Sequence, residues 1–124
     1  MSHDAFTLTL PPRSEHLATA RSFAASVARH FDVAGEMVED LKIAVTEACI
    51  DAIASGAPVR VRAEANGPAL VFEVDAPQDG EVPGRDALDE VGAPARVELI
   101  RALFADATEV EAARRAIRFS VPIA

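Results

Sequence analysis

The sequence predicts an α+β protein, a two-layer sandwich with three helices on one face of a mostly antiparallel sheet. Three observations predict it. Four segments alternate apolar and polar residues with a period of two, the mark of strands with one covered face. Two longer segments repeat their apolar residues at helical spacing. The order along the chain is strand, two helices, hairpin, loop, helix and final hairpin.

The first strand is "FTLTL", in which Phe6, Leu8 and Leu10 alternate with Thr7 and Thr9. Pro11 and Pro12 end it, and Ser14 is suited to cap the helix that follows. That helix carries Leu17, Ala20, Ala24, Val27, Ala28 and Phe31 on one face. A second helix opens at Asp32 or Gly35 and runs to about Ser55, where Gly56 supplies a stop. Its buried stripe is expected to be Met37, Leu41, Ala44, Val45, Ala48 and Ala52. "VRVRAEA" and "ALVFEVD", separated by "NGP", read as an antiparallel hairpin. Val59 and Val61 lie on one face of it, opposite the row of Leu70, Phe72 and Val74. Residues 76–94 are rich in Pro, Gly and acid and read as a lid loop. Pro94 suits the first turn of a third helix carrying Val97, Ile100, Leu103 and Phe104. "TEVE" and "AIRFSVPI" close the chain as a final hairpin.

A chain of 124 residues fits one domain, 1–124, with a core of its own. No apolar run is long enough to span a bilayer, and "MSHDAFTLTLPP" lacks the pattern of a secretory leader, so a cytoplasmic protein that does not engage membranes is expected. The formal charge of −8, with Lys42 the only lysine beside eleven arginines, disfavours direct nucleic-acid binding. The absence of Trp and Tyr argues against a platform for stacking bases. A basic patch on another protein is the more natural counterpart. Cys49 has no second cysteine to bond, and no histidine is near it in sequence to activate it; it reads as a small core residue. His3, His16 and His30 lack metal-ligand spacing.

The stretch "AVTEACIDAIASG" places Glu47 and Asp51 one helical turn apart in an otherwise apolar segment. On a helical projection Glu36, Asp40, Glu47 and Asp51 share one flank away from the buried stripe. Spacing alone is satisfied by a solvated acidic edge. Ile43 and Ile50 lie opposite the stripe, where they either pack on the first helix or mark a surface for a dimer or another partner.

"EACIDA", with its lead-in "LKIAVTEA" and the preceding "LPPRSEHLATARSF", resembles the N-box helix of the GHKL ATPase superfamily. Within it the likeness is greatest to the short bacterial anti-sigma factors that are also serine kinases. The resemblance implies the Bergerat-like version of the sandwich. It also implies ATP with Mg²⁺ as cofactor, Glu47 as general base and Asp51 at the position of the family's Mg²⁺-holding asparagine. A carboxylate oxygen suits that hard cation. In the family's next box, Asp-x-Gly-x-Gly, an ungapped match of "VFEVDAPQDG" sets Ala76 at the adenine-binding aspartate, Gln78 at the first glycine and Gly80 at the second. The glycine-rich entry to the third helix keeps Gly92 and then has Pro94, which has no N–H for a phosphate.

These matches imply a regulatory protein-binding module of the anti-sigma type with ATP binding weakened or lost. Its partner would be a sigma factor or an anti-anti-sigma protein of the STAS type. The other reading is an active ATP-dependent serine/threonine kinase that phosphorylates its anti-anti-sigma antagonist.

Overall fold

Alternation along each strand decides which face of the sheet meets the helices. The computed structural model describes residues 4–76, 97–111 and 116–123. Five strands, β1 (Ala5–Leu10), β2 (Val59–Asn66), β3 (Ala69–Asp75), β4 (Thr108–Glu111) and β5 (Ala116–Pro122), form one sheet in the order β1-β2-β3-β5-β4. Every neighbouring pair is antiparallel. Val59, Val61, Leu70, Phe72, Val74, Ile117, Phe119 and Val121 are all buried on one face. The opposite face carries Thr7, Thr9, Arg60, Arg62, Glu73 and Arg118, laced by ion pairs such as Arg118–Glu73 at 3.0 Å.

Two long helices, α1 (Leu17–His30) and α2 (Gly35–Ile53), cover the apolar face, joined by the described part of α3, residues 97–103. Phe119 links the layers. It stacks on its cross-strand neighbour Phe72 at 5.8 Å and on Phe104, just past α3, at 5.0 Å. The two-layer arrangement and its element order thus agree with expectation, and the sheet is antiparallel throughout. No helix among the described residues is long and apolar enough to cross a membrane.

Local details depart from the sequence reading in three places. Ser14 does not cap α1: it opens a 3-10 turn, Ser14–His16, and makes no side-chain capping bond. His16 precedes α1, also without a side-chain cap. In α2 the edge of the stripe is shifted, so Met37 is only partly buried while Val38 joins the core; Cys49 is buried as expected. The hairpin turn contains two residues rather than three, since Asn66 pairs with Ala69. Gly67, at φ +61°, takes the first central position, where a two-residue turn of the II′ kind needs a left-handed residue. That register sets Val61 against Val74 and Ala63 against Phe72, apolar against apolar.

Between the helices Asp32 adopts φ 56°. Its N–H donates to the Arg29 carbonyl at 3.1 Å, and the Val33 N–H donates to the Ala28 carbonyl at 3.0 Å. These two bonds are those of a Schellman stop, with an aspartate where glycine is usual. The side chain is doubly disfavoured there, by left-handed backbone and by an anion at the helix's negative end. Asp32→Gly is therefore expected to raise unfolding stability by about 1 kcal/mol, read as a higher urea midpoint at unchanged slope. A lower midpoint would show that the carboxylate makes a compensating contact.

Candidate functional site on the second helix

The face α2 turns to the sheet is built from Leu41, Ala44, Val45, Ala48 and Ala52, all fully buried, and the small side chains let the helix lie close on β3. One flank of the same helix carries the acids, and they are not equivalent. Glu36 is exposed, Asp40 and Glu47 are half-buried, and Asp51 is only 5% exposed. A solvated edge describes Glu36; it does not describe Asp51. Burial of a carboxylate in an apolar helix is costly, and its oxygens do not stand without a partner.

Glu47 lines a depression of about 340 Å³ together with Arg21 from α1 and Glu39, Lys42, Ile43 and Thr46 from α2. The Thr46 hydroxyl donates to the Lys42 carbonyl at 2.7 Å and accepts a long bond from Arg21 Nη1 at 3.5 Å. Lys42 Nζ is held by Glu39 at 2.9 Å. The depression therefore balances two cations against two carboxylates. Ile43, 45% exposed, stands at its rim, whereas Ile50 is half-buried. Of the two isoleucines, only Ile43 is left largely uncovered by the first helix. Cys49, beside this flank, is 1% exposed, and burial pushes its thiol up to about 12. It is a core residue with no nucleophilic character at neutral pH.

The end of β3 holds the second half of the candidate site. Arg60 and Asp75 are cross-strand partners, and Asp75 accepts Nε–H at 3.1 Å and Nη2–H at 2.8 Å from the guanidinium. The carboxylate is 1% exposed and lies on the side of the sheet away from the helices. The bond to Asp75 holds the Arg60 proton still more firmly than usual. The next residue, Ala76, points the other way and is buried in the core under the helices. Asp75 thus belongs to a tightly held cross-strand pair. The pair was readable in principle. A two-residue turn at Gly67–Pro68 puts Arg60 opposite Asp75, whereas a three-residue turn does not.

Among the sites expected from sequence, the structure brings Glu47 and Asp51 to one flank of α2 and sets Ala76 at the end of the central strand. Gln78, Gly80, Gly92 and Pro94, with residues 77–94 of the expected lid, lie outside the described residues. Among the described residues no group of three or more His, Cys, Asp or Glu is placed to hold a metal ion. That is compatible with Mg²⁺, which commonly takes one or two carboxylates and completes its shell with water and phosphate oxygens.

An antiparallel sheet covered on one face by an acid-bearing helix at its centre defines an ATPase-like scaffold of the GHKL type. Residues 10–118 match the family model of the histidine kinase-like ATPase domain, and the chain belongs to that family. No curated protein matches it. The family binds ATP with Mg²⁺, and the residues here fit that ligand unevenly. At the metal position that the resemblance implies, Asp51 would offer a hard oxygen. At the implied adenine position, Ala76 would offer no acceptor, and Asp75 is bonded to Arg60.

Removing the guanidinium should take from buried Asp75 the two hydrogen bonds that Arg60 donates. Arg60→Ala is expected to cost about 2 kcal/mol in urea unfolding, less than a fully buried pair because the arginine is partly exposed. Adding Asp75→Ala should recover most of the loss. A double variant no more stable than the single one would mean that Asp75 draws its stabilisation from elsewhere.

Proposed function

We propose that this chain is a regulatory protein-binding module of the anti-sigma factor type, with the adenine end of its nucleotide site dismantled. The observation that carries this reading is the side-chain order at the end of β3, where Ala76 faces the helices and Asp75 is spent on Arg60. A purine amino group would meet a methyl group where an acceptor is required. With that end lost, binding energy for ATP falls to phosphate and metal contacts, and Asp51 sets a negative charge beside those phosphates. Partner choice would then rest on the protein surface. The depression around Glu47, rimmed by exposed Ile43 and edged by Arg21 and Lys42, suits a sigma factor or an anti-anti-sigma protein of the STAS type. The alternative is an active serine/threonine kinase acting on that antagonist. It is favoured by the one-turn spacing of Glu47 and Asp51 and by the opening beside Glu47.

Calorimetric titration with Mg-ATP separates the two readings. No binding in the micromolar range is expected, and micromolar binding would overturn the proposal. Combining Ala76→Asp, Gln78→Gly and Asp51→Asn should restore measurable affinity. A folded triple variant without any would count against the assignment of these positions.

Partner capture tests the surface separately. Ile43→Asp is expected to weaken binding of a candidate anti-anti-sigma protein about tenfold or more, while leaving the melting temperature nearly unchanged. Unaltered affinity would place the contact elsewhere.

A further inference from the structure

The face of the sheet turned away from the helices is charged in an ordered way. One row crosses all five strands, Thr7–Arg62–Glu73–Arg118–Thr108, and sets Glu73 between two arginines. Among the described residues the ion pairs of this face are Arg60–Asp75, Arg62–Glu64 and Arg118–Glu73. In each pair the arginine is the outer member. By side chain, Arg118 is 51% exposed against 21% for Glu73, and Arg60 37% against 2% for Asp75. Arg62 is likewise more exposed than Glu64. The formal charges of the three pairs cancel, so they add nothing to the net −8, and what they present outermost is guanidinium.

The same face is hollowed. A depression of about 440 Å³ over β2, β3 and β5 is lined by Arg62, Glu64, Asn66, Val71, Glu73 and Arg118. A second, of about 430 Å³, lies over β3, β5 and β4 and shares Val71 and Arg118 with the first. Together they cross three strand spacings, roughly 14 Å, which is room for about four or five extended residues. Val71 gives the shared floor an apolar centre, and Val110, 40% exposed, lines the far end. Solvation accounts for the charges; the valines add a place for an apolar side chain.

We propose that this hollow docks a short extended acidic segment of another protein, with carboxylates over Arg62 and Arg118 and an aliphatic side chain on Val71. Each of these arginines gives one N–H to its neighbouring carboxylate, Arg62 to Glu64 and Arg118 to Glu73. That bond orients the guanidinium and leaves the rest of its donor fork for an incoming carboxylate. Side chains already held in place lose less freedom on binding. Acid is directed to this end of the hollow, because Glu109 lines the other and Asp106 is engaged by the Ser120 N–H and hydroxyl. Acids of the domain more than a Debye length away, about 8 Å at physiological salt, oppose such a segment only weakly. The surface lies across the sheet from α2, so it stands independently of the depression at Glu47 and of nucleotide binding.

Nuclear magnetic resonance titration of the isotope-labelled full chain with a short acetylated peptide alternating Glu and Leu tests the proposal. Saturable shifts are expected at the amides of Arg62, Val71 and Arg118, with a dissociation constant below about 1 mM. The counterpart peptide with Gln in place of Glu should bind about tenfold more weakly or worse. Arg62→Gln combined with Arg118→Gln should lose affinity to the same degree at a nearly unchanged urea midpoint, because both arginines are exposed and such pairs add little stability. Val71→Glu, which sets an acid on the floor and leaves both arginines in place, should abolish binding. Absence of saturable shifts, shifts confined to α2, equal binding of the Gln peptide, or unchanged affinity in either variant would each overturn the proposal. So would tighter binding of oligothymidylate at the same amides, which would make a nucleic acid the occupant.

Discussion

The strict alternation of β3 governs both the stability of this protein and the chemistry left to it. The strand lies between β2 and β5, and its even-numbered residues Leu70, Phe72 and Val74 form the floor on which α2 rests. A one-residue slip would turn that whole row to water, so burial fixes the phase of the strand far more strongly than any single polar contact. The phase continues past the strand's end. Position 76 must face the helices and position 75 must not, whatever residues occupy them. An aspartate at 75 is therefore directed away from the helix layer, and Arg60 meets it there.

The same packing explains the gradation of acids on α2. The helix approaches the sheet through alanines, which brings its flanks close to neighbouring groups as well as its centre. Glu36 in its first turn stays in solvent, and Asp51 in its last turn is enclosed. Asp51 is retained as a buried carboxylate although no described cluster of metal ligands surrounds it. Buried ionisable groups rarely add stability over apolar ones of like size, so a role in binding or in fixing the helix's setting better accounts for it.

Much of the architecture was legible because it rests on periodicity. The apolar rows of β1, β2, β3 and β5 and the repeat along α1 each follow from residue spacing, and tertiary packing agreed with them. The features that were not legible depend on fine geometry. Val38 rather than Met37 is fully buried, because the edge of the stripe depends on helix rotation that residue spacing does not fix. Ser14 had the chemistry of a cap but falls in a tighter turn that precedes the helix. The Arg60–Asp75 pair turned on the length of the loop at Gly67. Sequence placed Glu47 and Asp51 on α2, whereas Ala76, read as the first residue of a lid loop, is core at the end of β3. It could not tell that one carboxylate is half-buried, one is enclosed, and the third position is filled by core packing.

The tight turn at Gly67 also orders events during folding. Pairing of β2 with β3 closes across only two residues, whereas β3 must find β5 across residues 76–115, and β1 must find β2 across both long helices. Loop-closure entropy favours the short search, so the topology predicts a nucleus in the central hairpin with α2 docking on it. β1 would then be recruited late, its arrival contributing more to slow unfolding than to fast assembly. A strand added last to a finished core can vary in sequence without endangering the nucleus, which leaves that margin open to divergence among proteins built on the same plan.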